Sequence, residues 1–106
     1  EIIPSANEST MLYSKRVAVG PVGLITPWNF PIAIPAWKMA PALIYGNTIV
    51  IKPAEVTPKS VYHLVSAFHE AGIPAGVINC VFGKGSEVGA ELTGNPDIKA
   101  VSFTGS

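Results

Sequence analysis

The stretch that most constrains this chain is Asn47-Thr48-Ile49-Val50-Ile51-Lys52-Pro53-Ala54-Glu55-Val56-Thr57-Pro58. Its first half is a short apolar run rich in β-branched residues, the pattern of a strand buried on both faces. Pro53 cannot donate to a strand ladder and ends the run. Thr57 then supplies an N-cap, and Pro58 the first position of a helix. Between these signals stand a cation, Lys52, and a carboxylate, Glu55, at the carboxyl end of the strand. In open α/β sheets that edge is where ligands bind. A solvated loop also carries Lys and Glu, so the pair gains meaning only from the rest of the chain.

The flanking sequence repeats the same alternation. Glu1 to Thr10 is polar and turn-prone, and Met11 to Val19 reads as an extended segment or edge strand, ended by Gly20-Pro21. Val22 to Thr26 is a second buried-strand candidate, closed by Pro27. After the loop Trp28-Asn29-Phe30-Pro31, residues Ile32 to Tyr45 form an almost wholly apolar helix with Gly46 as its stop. Pro41 inside it predicts a kink or a displaced start. Trp37 and its apolar neighbours read as core, whereas Trp28 stands in a loop. Pro58 to Ala71 is the clearest helix, with Val61, Leu64, Val65, Phe68 and Ala71 on one face and Gly72 beyond its end. Val77 to Phe82 and Ile98 to Thr104 complete the strands, and a short helix is expected near Glu87–Thr93. Short connections in a strand–helix–strand order predict parallel strands joined by right-handed crossovers. The fold class is therefore α/β, a partial Rossmann-like doubly wound sheet. Counting the four strands from Val22, their order is 3-2-1-4, with the Val77 strand on one flank and the Ile98 strand on the other. Residues 1–20 are expected to form an extended N-terminal segment, and residues 21–106 a partial α/β domain.

Composition bounds what such a unit can do. The 106 residues carry zero formal net charge, which gives no electrostatic footprint for nucleic acid or an acidic membrane. A single cysteine excludes a disulfide framework and fits a reducing, cytoplasmic setting. Apolar content of 48% beside 13% charged residues is high for a small free-standing domain, so apolar surface is expected to pack against something else. Both ends read as cut, and the chain as a piece of a longer protein that associates when isolated.

Several residues invite a chemical reading and yield a plainer one. Gly83-x-Gly85-x-x-x-Gly89 has one residue too many for the dinucleotide fingerprint and follows a late strand; it reads as a tight turn. Cys80 sits within a strand with no activating base nearby in sequence, as a buried structural thiol does. His63 and His69 lie six apart on different helix faces and give no metal-ligand spacing. All four strand ends, by contrast, run into small or polar residues: Thr26-Pro27-Trp28-Asn29, Lys52-Pro53-Ala54-Glu55, Gly83-Lys84-Gly85-Ser86 and Thr104-Gly105-Ser106. A parallel sheet gathers them on one edge.

Ile25-Thr26-Pro27-Trp28-Asn29-Phe30-Pro31, Lys52 to Pro58, Glu70-Ala71-Gly72-Ile73-Pro74-Ala75-Gly76-Val77-Ile78-Asn79 and Phe103-Thr104-Gly105-Ser106 together resemble the NAD(P)-dependent aldehyde dehydrogenase superfamily. The likeness runs from about Pro4 to Ser106, with its four motifs in order. It implies an oxidoreductase that converts an aldehyde to a carboxylic acid: a thiolate adds to the carbonyl, hydride passes to NAD(P)+, and water hydrolyses the thioester. It implies that Asn29 stabilises the oxyanion and that Ile25, Thr26, Pro27 and Trp28 wall the cofactor. Lys52 and Glu55 then hold the adenine ribose, Gly85 lies near the adenine, and Phe103, Gly105 and Ser106 belong to the turn beside the pyrophosphate. Lys38 matches a lysine of a proton relay. The family's catalytic cysteine and glutamate lie beyond its Phe-Thr-Gly-Ser motif, so this piece alone is expected to be inactive. NAD is the expected cofactor with NADP possible, no metal is implied, and the expected partners are an aldehyde, the remainder of the chain and further copies in a homo-oligomer. A catalytically silent structural protein on the same fold is the alternative, separable by the downstream cysteine and glutamate.

Overall fold

A computed structural model describes residues 1–106. Near the N-terminus, β1 (Ile2–Ile3) and β2 (Leu12–Tyr13) pair antiparallel, Ile2 opposite Tyr13 and Ile3 opposite Leu12. Then follow β3 (Pro21–Ile25), α1 (Ala33–Ile44), β4 (Thr48–Lys52), α2 (Pro58–Glu70) and β5 (Ile78–Cys80). A π-helical turn at Gly85–Gly89 runs on into α3 (Ala90–Gly94), and β6 (Ala100–Phe103) ends the series.

The main sheet has the order β5-β4-β3-β6 with every pair parallel, the arrangement that the crossover rule gives from the order of elements. Its register sets where the strands end. Ile25 is opposite Lys52 on one side and Phe103 on the other, so three strands finish at the same level.

Side-chain alternation divides the two faces of the sheet. Val22, Leu24, Ile49 and Ile51 pack with Met39 of α1 and Val61 of α2 in the core. The other face of β3 meets the third helical unit: a Cβ placed on Gly23 would lie 3.3 Å from Ile98 and 3.7 Å from Leu92. Glycine therefore lets β6 and α3 close down on the strand. Gly83 is required twice over, because its φ is +150° and an added Cβ would stand 2.6 Å from Val88.

The structure departs from the sequence reading at particular places. The strand pattern predicts burial on both faces, yet β6 is exposed along its whole length and β5 is only partly covered. Both are flank strands here, with no neighbour on the outer side. Trp37 is 69% exposed and is not core; α1 turns Pro35 and Met39 inward and leaves Trp37, Ile32 and Ile44 outside. Pro41 does not displace the start of α1, which is continuous from Ala33 to Ile44. Met11–Val19 contributes only two strand residues, and they pair with Ile2–Ile3, where the turn-rich sequence suggests no strand. Thr57 occupies the N-cap position of α2 without a side-chain cap bond. Its ψ of 42° lies outside the extended region in which a cap hydroxyl reaches the second and third amides, and its Oγ1 is buried without a partner. Gly85 and Ser86 are helical, so the turn after β5 is shorter and the helix begins earlier than Glu87.

Candidate functional site

The common level of the strand ends creates the site. Past β3 and β4 the ladder continues for one residue, with Thr26 N–H donating to the Lys52 carbonyl at 3.2 Å. Past β6, Thr104 N–H donates to the Ile25 carbonyl at 3.0 Å. The loops therefore leave the sheet from one rigid edge and diverge around a cleft of about 500 Å³. That volume is in the usual range for a small-ligand site, about 300–1,000 Å³.

With the exception of Lys38, the site residues named from the sequence line this cleft: Ile25, Thr26, Pro27, Trp28, Asn29, Lys52, Glu55, Gly85, Phe103, Gly105 and Ser106. Ile34, Ala54 and Thr104 line it as well. Ala54 and Thr104 stand inside recognisable motifs. Ile34 carried no signal, since one more apolar residue in an apolar helix says nothing about which way it faces.

The two charged residues are held by backbone and not by each other. Lys52 is 4% exposed, and its ammonium donates to the Pro53 carbonyl at 2.9 Å. An ammonium has three N–H donors, so two stay available for a ligand's oxygens. Glu55 is exposed, and its Oε1 accepts the Gly85 N–H at 2.9 Å, which ties the loop after β4 to the helical turn after β5. Thr26 adds a buried hydroxyl with no hydrogen-bond partner at the head of the cleft. Trp28 and Phe103 offer exposed ring surface on its walls.

Asn29 stands apart from the other asparagines. Asn7, Asn47 and Asn95 accept backbone N–H groups in turns and loops, and Asn79 donates to the Ile49 and Gly76 carbonyls. Asn29 follows the end of β3, is exposed, and makes no comparable bond, so its amide donors are not spent on capping a turn.

Other reactive groups lie elsewhere. The Lys38 ammonium donates to Ser102 Oγ at 2.6 Å, and partial burial lowers its pKa below the ordinary lysine value. Lys38 is not among the residues around the cleft. Cys80 packs against the core from the last position of β5, and burial pushes its thiol up to about 11. A thiol so protonated at neutral pH is a poor nucleophile. His63 and His69 are exposed on α2, and no three His, Cys, Asp or Glu side chains converge as a metal site.

A parallel sheet with a cleft at its carboxyl edge, a cation at the end of β4 and a carboxylate in the loop that follows define a partial α/β unit of the doubly wound class. The chain belongs to the aldehyde dehydrogenase family, whose family model matches residues 1–106. It is 54% identical over 106 residues to the alpha-ketoglutaric semialdehyde dehydrogenase of Bacillus subtilis, a match covering 100% of this chain and 22% of that protein. It is 55% identical over 104 residues to the 2,5-dioxopentanoate dehydrogenase of Saccharolobus solfataricus, covering 98% of this chain and 22% of the relative. Among solved structures, an NAD+ complex of aldehyde dehydrogenase from Bacillus cereus superposes with a TM-score of 0.90 at 47% identity, covering 100% of this chain and 21% of that one. The chain thus spans about a fifth of the length of the relatives it matches.

Proposed function

We propose that this chain is the cofactor-holding part of an NAD-dependent aldehyde dehydrogenase that oxidises an aldehyde to a carboxylic acid. The observation that carries the reading is the convergence of Asn29, Lys52, Glu55 and Gly85 on one cleft at the carboxyl edge of the sheet. The residues present fit a dinucleotide: buried Lys52 with two spare ammonium donors and Glu55 with its carboxylate line a cleft of suitable size. Bound NAD+ would supply the hydride acceptor. Lys52 and Glu55 would hold ribose hydroxyls, Gly85 would lie near the adenine, and Phe103, Gly105 and Ser106 would border the pyrophosphate. Ile25 to Trp28 would form the wall along the cofactor.

Asn29 is then the residue of this chain that acts on the aldehyde. An oxyanion forms when a nucleophile adds to the carbonyl, and a neutral amide N–H stabilises it without repelling a cationic nicotinamide. The nucleophile is supplied from outside this chain, since Cys80 faces the core. For the substrate we adopt the names of the two relatives above, which denote one compound, a short keto-acid semialdehyde. We further propose that residues 21–106 belong to the cofactor domain and residues 1–20 form a separate extended segment, and that the whole protein is a cytoplasmic homo-oligomer. No helix of the chain is long and apolar enough to cross a membrane.

The test is steady-state kinetics on the full-length protein with this semialdehyde and NAD+. Asn29→Ala should lower kcat about 10²–10³-fold, the usual cost of one oxyanion donor, while NAD+ binding stays near wild type. An unchanged kcat with a lower Tm would assign Asn29 to the loop and remove it from the chemistry.

A further inference from the structure

Glu55 is an unusual choice for a selective contact, because it is exposed and its side chain has three rotatable bonds to lose order through. Nothing on its own loop holds its carboxylate: Lys52, three residues earlier, is engaged by the Pro53 carbonyl. The bond that fixes Glu55 comes from 30 residues away in sequence, the Gly85 main-chain N–H at 2.9 Å. We propose that the Gly85 amide is a positioning donor that makes Glu55 discriminate between nucleotides, and that the preference for an unphosphorylated adenine ribose depends on this one N–H. The inference rests on the cofactor reading above.

Restraint of the carboxylate is what sets the selectivity. A carboxylate offers about four lone-pair sites, so the Gly85 N–H uses one and leaves the others free to accept ribose hydroxyls. Held there, the carboxylate cannot swing into solvent to make room for a 2′-phosphate, and like charges then meet at close range. Freed, it can step aside; the contact with hydroxyls weakens and the barrier to a phosphate falls with it. Discrimination thus needs the restraint as much as the charge.

The local backbone permits a clean deletion of this donor. Lys84 is extended, with φ −65° and ψ 144°, the conformation favoured before proline. Gly85 is the first helical residue, where proline is well tolerated. A Cβ at Gly85 would meet nothing within 4 Å. Gly85→Pro therefore removes the N–H with little other change, whereas Gly85→Ala keeps it.

Equilibrium dissociation constants for NAD+ and NADP+, measured on the full-length protein through quenching of tryptophan fluorescence, give the readout. Gly85→Pro should weaken NAD+ about 5–10-fold, in the range of one ordinary hydrogen bond, and leave NADP+ unchanged or tighter. Gly85→Ala should keep the wild-type ratio of the two constants, whatever it does to each. In a Glu55→Ala background, Gly85→Pro should leave the ratio where Glu55→Ala alone puts it. Equal shifts in both nucleotides, or a ratio moved as far by Gly85→Ala, would overturn the inference and make Gly85 a structural residue only. A wild-type protein that binds neither nucleotide would overturn the cofactor reading, and this inference with it.

Discussion

β4 and β6 have similar sequences and opposite circumstances. Thr48-Ile49-Val50-Ile51-Lys52 and Ala100-Val101-Ser102-Phe103 are both short, apolar and rich in residues that favour strands. Ile49 and Ile51 are completely buried, whereas β6 is exposed at every position. The difference lies in position. β4 has a strand on each side and two helices over one face, while β6 has a partner only in β3. The same apolar pattern thus specifies a strand in both cases and burial in only one. It also separates two duties: the centre fixes the level at which Ile25, Lys52 and Phe103 end, and the flank leaves apolar surface for something else to cover.

The sharpest way to break this contrast is to cut into each strand. In the 106-residue chain, Ile51→Ala should destabilise by about 4 kcal/mol, toward the upper end for a large-to-small change in a core. Val101→Ala should cost about 1 kcal/mol or less, because part of its side chain is already in water. Urea denaturation measures both, and equal losses would mean that the flank is as well packed as the centre.

Next in size is self-association. Trp37, Ile44, Val101 and Phe103 are 69%, 80%, 39% and 58% exposed, and exposed apolar side chains on both faces of the sheet favour association. The isolated chain should sediment as a concentration-dependent mixture of species. Trp37→Lys should shift that mixture toward monomer, and a compact monomer at high concentration for the wild type would remove the premise.

At the carboxyl edge, where the centre does its work, Glu55→Gln in the full-length protein should narrow the preference for NAD+ over NADP+. Charge repulsion is lost while an oxygen acceptor remains, so a change of about 10-fold, or 1.4 kcal/mol, is the expected scale. An unaltered ratio would show that Glu55 contributes no discrimination.

The smallest effect belongs to β5, the other flank. Burial raises the Cys80 pKa from 9.0 to about 11, so the folded state holds its proton where the unfolded state has begun to lose it. The contribution of the neutral thiol is fully present below pH 9 and is lost as the pH rises toward 11. Lys38, whose pKa is lowered, works in the opposite direction. The difference in stability between wild type and Cys80→Ala, taken at each pH, isolates the thiol: it should shift against the wild type between pH 9 and 11, and a flat difference would place the thiol in water.

The edge that carries the site was legible because local chemistry wrote it, whereas the roles of its residues came from the family resemblance. β-branched runs followed by proline mark strand ends, and the crossover rule brings parallel strand ends to one edge. Asn29, Lys52, Glu55 and Gly85 therefore meet although they are far apart in sequence. The bond from Gly85 to Glu55 was not legible, since no spacing rule links a main-chain N–H to a carboxylate 30 residues earlier. Thr57 shows the converse, a residue of the right type at the cap position whose backbone angle denies it the bond.

The sequence by itself determined the elements, their order and the edge that carries the site, because those follow from periodicity, turn chemistry and the handedness of the chain. Tertiary structure alone decided which apolar residues are buried. Trp37 and Met39 are two residues apart on one helix, and only the sheet beneath α1 makes Met39 core and leaves Trp37 in water. Burial is a property of what lies opposite a side chain, and that partner is fixed by packing between elements distant in sequence.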